Sequence, residues 1–171
     1  MTVALVRASE TDRSILENLL HLYVHDFSEV LGLTPSEEGR FEYPALPLYW
    51  RESGRAAYFI RSGSNLAGFA LTSRGSRISG DPEVLDLAEF FVVRGLRRRG
   101  VGRSAAHELF RSIPGVVWEV RVNEANIPAQ HFWRRVIDLY TVGQFHLDTW
   151  VRDDGSRWDV FRFTSSNAIR T

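Results

Sequence analysis

An apolar strand that passes through an arginine-rich turn into a helix is the feature that most constrains how this chain folds. It occupies residues 85–112, LDLAEFFVVRGLRRRGVGRSAAHELFRS. The aromatic and β-branched content of the first part predicts a strand. The helix is predicted because apolar residues recur at spacings of one, three and four, which places them on one face: Ala105, Ala106, Leu109, Phe110 and Ile113. A strand that leads through a tight turn into a helix is typical of domains that combine sheet and helix.

The start of that helix suits a diphosphate ligand. About four backbone N–H groups lack a partner at a helix start, and the aligned peptide dipoles add roughly half a positive charge. Gly100 and Gly102 have no Cβ atom, so phosphate oxygens can approach the amides closely. Positive potential is added by Arg97, Arg98, Arg99 and Arg103. The glycines alone would indicate a tight turn and the arginines alone a solvated charge run, but together they favour phosphate binding.

The composition excludes several kinds of chemistry. The length of 171 residues and the hydrophobic content of 44% predict one globular domain, residues 1–171. The formal net charge of zero argues against a nucleic-acid or membrane partner. All 21 basic residues are arginine, which excludes a Schiff-base or general-base lysine, and the absence of cysteine excludes thiol nucleophiles. We find no signal peptide or membrane span, so a cytoplasmic location is expected.

The remaining pattern predicts alternating strands and helices without an internal repeat or a linker. A helical stripe ends near Gly32, and a later helix over 123–137 is marked by Asn126 and Pro128 at its start. Residues 34–51 form an irregular, aromatic-rich segment of the kind that covers a site. His21 and His25 share a helix face, but no third ligand is placed near them, so no metal site is expected. Strands are predicted at 2–7, 57–61, 66–72, 84–93, 115–122, 145–152 and 158–164.

Two motifs at a characteristic distance make the chain similar to the GNAT superfamily of N-acetyltransferases. The first is the superfamily's phosphate-binding signature, Gln or Arg, two residues, Gly, one residue, then Gly or Ala, which residues 97–102, RRRGVG, match. The second is an Asn, two residues, an Ala and, three residues later, an aromatic pair, which residues 126–133, NIPAQHFW, match. With their flanking elements the motifs take in residues 84–137, and the order of strands and helices extends the resemblance to nearly the whole chain.

The resemblance implies a single-domain α/β fold. Its central mixed sheet, mostly antiparallel and of about six or seven strands, is flanked by helices and splayed between the fourth and fifth strands. It also implies that an acetyl group passes directly from acetyl-CoA to a primary amine of a small molecule or peptide. Acetyl-CoA is then the donor, no metal takes part, and a homodimer is compatible with the fold.

The resemblance also implies which residues bind acetyl-CoA. Amides of residues 98–104 would hold the diphosphate, and a bulge near the end of the fourth strand would leave backbone groups to bind pantetheine and the thioester carbonyl, as a small oxyanion hole. Asn126 would contact the pantetheine arm, although a helix cap is an equally good explanation of it. The implied set is Phe91, Val92, Val93, Arg97, Arg98, Arg99, Gly100, Val101, Gly102, Arg103, Ser104, Asn126 and Trp133.

Glu89 is the first candidate for the general base. It interrupts an apolar strand beside the expected bulge, where removal from water strengthens a carboxylate as a base, and an acidic residue is common at this place in the superfamily. Asp86 is the second candidate, because its distance from Gly100 matches the base of the histone-acetylating branch, but strand alternation points it to the opposite face. Either carboxylate could instead bind the substrate ammonium or serve as a buried polar partner.

The chain departs from the family at Trp133, where many members have a tyrosine that protonates the departing thiolate. An indole N–H is too weak an acid for this step, so Tyr140 or solvent would supply the proton. The acceptor pocket is expected to be lined by the first helix and the aromatic segment, and an anion there would suit a cationic amine. The residues in question are Tyr23, Asp26, Tyr43, Tyr49 and Trp50.

Three other functions compete with acetyl transfer. Gly100, Gly102 and Ala105 also satisfy a dinucleotide-binding fingerprint, with Glu119 near the distance of the ribose-binding acid, but residues 94–99 separate the strand from the first glycine and little chain remains for a doubly wound domain. A non-catalytic acyl-CoA-binding or regulatory module is favoured by the missing tyrosine. RNA binding through the arginine turn lacks supporting aromatic and basic stripes.

Overall fold

The computed structural model describes residues 2–166. The strands in chain order are β1 (Val3–Arg7), β2 (Arg55–Ser62), β3 (Asn65–Arg74), β4 (Leu85–Val92), β5 (Val117–Asn123), β6 (His146–Val151) and β7 (Arg157–Thr164). The helices are α1 (Arg13–Leu31), the short α2 (Leu48–Arg51), α3 (Val101–Ser112) and α4 (Ile127–Thr141). Single 3-10 turns lie at Glu10–Asp12 and Arg94–Leu96.

The strands form one mixed, mostly antiparallel sheet in the order β1-β2-β3-β4-β5-β7-β6. Strands β4 and β5 form a parallel pair. Their ladder pairs Leu85 with Trp118, Asp86 with Glu119 and Leu87 with Val120. β5 pairs antiparallel with β7 along its whole length, and β7 pairs with β6. The predicted α/β class is therefore confirmed. A doubly wound dinucleotide-binding domain requires a parallel sheet, so this alternative is wrong.

The contacts divide the chain into two compact units, each made of two segments. The first unit combines the chain up to Leu71 with Glu89–Gly102, and the second combines Thr72–Ala88 with the chain from Arg103 onward. The single domain over residues 1–171 stays a prediction, and residue 1 and residues 167–171 lie outside the described part.

The core of the first unit contains an aromatic cluster next to helix α1. Leu16, Leu19 and Leu20 of α1 are buried. The ring of Tyr23, farther along the helix, makes edge contacts with Phe69 of β3 and Phe91 of β4 at centroid distances of 5.7 and 5.9 Å. The helix ends where Gly32 adopts a left-handed φ of 64°, as the sequence predicts. Strand β4 is thus anchored to α1 through aromatic side chains.

The core of the second unit confirms four of the five residues predicted for the apolar face of helix α3; the fifth, Ile113, is half-buried and follows the end of the helix at Ser112. Ala105, Ala106, Leu109 and Phe110 are completely buried. The Phe110 ring packs against Trp118, Tyr140 and Phe163 with centroid distances of 5.1, 5.2 and 4.9 Å.

None of the helices among residues 2–166 is long and apolar enough to cross a membrane.

Candidate active site

The turn between β4 and α3 has the backbone geometry of an anion-binding loop. Arg98 and Gly100 have positive φ angles of 59° and 82°, and helix α3 begins directly after them at Val101. Left-handed residues before a helix turn successive amides toward a common point. The positive φ explains why glycine stands at 100, whereas Arg98 adopts an uncommon conformation for a residue with a side chain.

The amides of this turn have no backbone acceptor in the described chain. Hydrogen bonds from the N–H groups of Leu96 and Arg97 close the 3-10 turn, but none leaves Arg98, Arg99 or Gly100 for another backbone carbonyl in residues 2–166. The first N–H groups of α3 also lack partners within the helix. Arg98, Arg99 and Gly100 are all exposed. The turn can therefore accept an anion from solvent.

Arg97 belongs to the same motif, but its side chain is bound within the protein. Its Nε donates to the Val92 carbonyl at 2.6 Å, its Nη2 donates to Asp26 at 2.5 Å, and its guanidinium lies 5.4 Å from the centroid of the Phe91 ring. Arg94 also binds Asp26, at 2.9 Å. Asp26 was expected to attract a cationic acceptor, but its charge is instead matched by two arginines.

The end of β4 lies unusually close to β3. A Cβ atom on Gly68 would lie 1.9 Å from the Phe91 carbonyl oxygen, so only glycine fits at this position. The Val93 N–H donates to the Ala67 carbonyl at 2.9 Å, and the Val93 carbonyl accepts from Leu96. Among the backbone groups implied in pantetheine binding, those of Val93 therefore already have partners inside the protein.

Glu89 is held by two phenols. The Tyr23 hydroxyl of α1 donates to Glu89 Oε2 at 2.5 Å, and the Tyr43 hydroxyl donates to Oε1 at 2.9 Å. Burial, together with the negative charge of Glu89, raises the pKa of Tyr43 far above its usual value. The same two causes raise the pKa of Tyr49. Tyr43 and Tyr49 therefore stay protonated at neutral pH, and the half-buried Glu89 carboxylate lies near them.

Asp86, the second candidate base, lies in the other unit within a buried ionic network. Its side chain is completely buried, and Arg121 binds both of its carboxylate oxygens, the closer at 2.8 Å. Asp86 is paired in register with Glu119 on β5, which is also completely buried. Glu119 accepts hydrogen bonds from Ser76 at 2.9 Å and Arg162 at 3.0 Å. The network occupies Asp86 as an ion-pair partner.

The second motif forms the beginning of helix α4. The Asn126 side chain accepts a hydrogen bond from the Ala129 amide at 3.2 Å, so the capping role is real, and it leaves the amide nitrogen of the side chain to donate elsewhere. The helix starts at Ile127 rather than at 123, because Asn123 ends strand β5 and its side chain accepts from the Ala125 amide. Trp133 is buried on the same helix.

Tyr140 is a poor candidate for the missing acid. Its hydroxyl is buried without a hydrogen-bond partner in the described chain, and its ring packs against His107, Phe110 and Phe163.

No cluster of three or more His, Asp or Glu side chains suited to a metal occurs within residues 2–166.

Sequence reasoning named most of these residues but missed how they connect. Tyr23, Tyr43 and Glu89 were each singled out, yet their hydrogen bonds were not, because Tyr43 lies in an irregular segment whose path no periodicity predicts. Gly68 was missed because it stands inside an apolar strand. Its only signal was a glycine in a strand, which often marks a close backbone approach.

Comparisons with known proteins identify the family and the fold. The family model described as Acetyltransferase (GNAT) family matches residues 16–137. No curated protein sequence matches the chain. An acetyltransferase from Thermus thermophilus has 18% identity and a TM-score of 0.68, covering 95% of this chain and 98% of the other.

Two further solved structures share the fold. The ribosomal-protein-S18-alanine N-acetyltransferase from Escherichia coli has 14% identity and a TM-score of 0.61, with 99% of this chain and 98% of the other covered. An aminoglycoside acetyltransferase in complex with coenzyme A has 15% identity and a TM-score of 0.67, with 95% of both chains covered. Since the family match spans most of the chain and the sheet agrees with it, this chain belongs to the acetyltransferase (GNAT) family.

Proposed function

We propose that this protein transfers an acetyl group from acetyl-CoA directly to a primary amine of a small molecule or peptide. The observation that carries the proposal is one continuous segment of the first unit, 89–102. It has a tyrosine-bound carboxylate at one end and, at the other, exposed amides without a backbone acceptor before a helix. The formal net charge of zero supports such an acceptor over a nucleic acid.

The residues of the turn fit the diphosphate of acetyl-CoA. The amides of residues 98–104 would hold it, and Arg98, Arg99 and Arg103, all exposed, would add positive charge. Within residues 91–93, both backbone groups of Val93 and the Val92 carbonyl already have partners, so the pantetheine arm and the thioester carbonyl would bind the other backbone groups of Phe91 and Val92. The Asn126 side-chain amide and Trp133 are proposed as further contacts. The paired ladder between β4 and β5 is short, since its last pair is at Leu87 and β4 continues to Val92.

Acetyl transfer requires that the acceptor nitrogen lose a proton. Bound acetyl-CoA supplies the acetyl group as an activated thioester. The C–N bond forms as the C–S bond breaks, and Glu89 takes the proton that the nitrogen gives up. The two phenols hold the Glu89 carboxylate in place, and a carboxylate at this position also suits the ammonium form of the acceptor. Solvent protonates the departing thiolate, because Trp133 is a weak acid and the Tyr140 hydroxyl is buried in the core.

Replacing Glu89 tests the proposed base. Glu89→Gln should lower kcat by about a hundredfold or more, the range for loss of a general base, while the Kd for acetyl-CoA stays within about twofold. Turnover is followed by thiol release with a panel of primary amines, and binding by calorimetry. Glu42→Gln is the matched control, because this exposed glutamate precedes Tyr43 and should leave both quantities unchanged.

Two outcomes separate the possible roles of Glu89, and a third tests whether the protein is an enzyme. Unchanged turnover in Glu89→Gln removes it from the mechanism. A raised KM for the amine with an unchanged kcat makes it an ammonium-binding group instead. If the wild type binds acetyl-CoA but releases no thiol with any amine, the result would favour the non-catalytic module. This is the second candidate function, and the tryptophan at position 133 supports it.

A further inference from the structure

One carboxylate on helix α1 binds two arginines that come shortly before the turn at residues 98–100. Asp26 Oδ1 accepts from Arg94 at 2.9 Å, and Oδ2 accepts from Arg97 at 2.5 Å. The Asp26 side chain is only 19% exposed, whereas Arg94 and Arg97 are 69% and 41% exposed. The carboxylate is therefore the sheltered, fixed member of the cluster, and the two arginines reach toward it.

Arg97 transmits this contact to the end of strand β4. Its Nε donates to the Val92 carbonyl at 2.6 Å while its guanidinium lies beside the Phe91 ring. A guanidinium has several donors in a rigid plane, so binding Asp26 also fixes how it presents Nε to the strand. Asp26 is thus linked through Arg97 to the Val92 carbonyl without lying in the turn itself.

The same helix also holds the other end of this segment. Tyr23 stands three residues before Asp26, a spacing that places both side chains on one face of α1. Tyr23 binds Glu89, and Asp26 binds Arg94 and Arg97. One helix face therefore contacts both the carboxylate of the proposed chemistry and the start of the proposed diphosphate site.

We propose that Asp26 is a positioning residue for acetyl-CoA binding, acting through Arg97 on the end of β4 and on the turn that follows. This inference rests on the proposed function, because it assumes that the turn binds the diphosphate of acetyl-CoA. Electrostatics alone would give the opposite effect. Removing the negative charge would raise the positive potential near the turn and tighten anion binding.

Asp26→Asn separates positioning from electrostatics, because it keeps the shape and removes the charge that holds both arginines. The Kd for coenzyme A, measured by calorimetry, should rise about tenfold, since a charge-assisted contact is lost. The KM for acetyl-CoA should rise in parallel, whereas kcat and the KM for the amine should change little. Asp26→Glu should restore part of the affinity, and Arg94→Gln, which spares the Arg97 contact, should have a smaller effect.

Glu29→Gln is the matched control, because it removes the same charge from an exposed position on the same helix. Its Kd for coenzyme A should equal that of the wild type. An Asp26→Asn protein with the wild-type melting temperature and equal or tighter coenzyme A binding would overturn the inference. A wild-type protein that binds no coenzyme A would overturn the proposed function itself, which distinguishes the two failures.

Discussion

At the scale of single residues, the site depends on hydrogen-bond donors that stabilise a half-buried carboxylate. A half-buried carboxylate is costly unless hydrogen bonds stabilise its charged form, and Glu89 has two phenols to do this. Residue type was enough to single out Glu89 as a polar interruption of an apolar strand. The partners could not be predicted, because Tyr43 is 46 residues away along the chain and no local pattern joins them.

His107 gives a pH dependence that can be measured. Burial lowers the pKa of His107 below its usual value near 6.5. The hydrogen bond with the Val136 carbonyl acts in the opposite direction, and the charges of Arg111 and Arg103 act in the same direction as burial. The unfolded chain therefore binds a proton at a higher pH than the folded chain does, so this contribution to stability is present above about pH 6.5 and is lost as the pH falls below it.

We expect the melting temperature of the wild type to fall between about pH 7.5 and about pH 5.5, which lie about one unit either side of the usual histidine pKa, and the fall to be smaller in His107→Gln. Scanning calorimetry at several pH values measures both. His131→Gln, at an exposed position of α4, is the control and should follow the wild type. Identical pH profiles for wild type and His107→Gln would show that His107 contributes nothing.

At the scale of elements, the strand that carries Glu89 is placed by close contact with its neighbour. The Phe91 carbonyl occupies the space that any side chain on Gly68 would need. Periodicity predicted β3, β4 and the buried face of α3, because alternating and helical patterns are visible in the sequence itself. It could not predict the close approach, which depends on the spacing of two strands.

Gly68→Ala should therefore disturb both stability and cofactor binding. Relief of the clash must move backbone, so we expect a loss of about 1–3 kcal/mol in the free energy of unfolding, as in other overpacked cores. Because the end of β4 must shift, acetyl-CoA binding should also weaken. Denaturant unfolding and calorimetry measure the two effects.

Gly95→Ala makes the same change in the turn, where a new Cβ atom meets nothing within 4 Å, and serves as the control. An equal effect of the two substitutions on stability would show that the contact between Gly68 and Phe91 has no special importance.

At the scale of the whole molecule, two short motifs identified the fold better than composition did. The composition limited the chain to a folded protein without lysine or cysteine chemistry. The fold was implied by the resemblance to the GNAT superfamily, which the two motifs and the order of strands and helices carry. The division into two compact units was not predicted, because a pattern of elements does not show which of them share most contacts.

Ligand-induced stabilisation tests the cofactor at this scale. A ligand that binds only the folded protein and is present at a hundred times its Kd adds about 2.7 kcal/mol to the free energy of unfolding. For a chain of this size, this should raise the melting temperature by about 5–10 °C. Acetyl-CoA should produce the shift in a thermal-shift assay and NADH should not. A shift with NADH alone would contradict the proposed cofactor.

The buried ionic network of β4, β5 and β7 restricts how this chain can change over evolutionary time. Replacing Asp86 alone leaves Arg121 without its closest partner, and replacing Arg121 alone leaves a buried carboxylate, a loss of about 3–5 kcal/mol for pairs of this kind. An apolar pair of similar volume would often be as stable as the ion pair, but every single-step route to it passes through a damaged intermediate. Glu119 and Arg162 are coupled in the same way but less strongly, because Arg162 is partly exposed and Glu119 also accepts from Ser76. These four charged residues should therefore be kept or replaced in pairs during evolution, whether or not their charges take part in acetyl transfer.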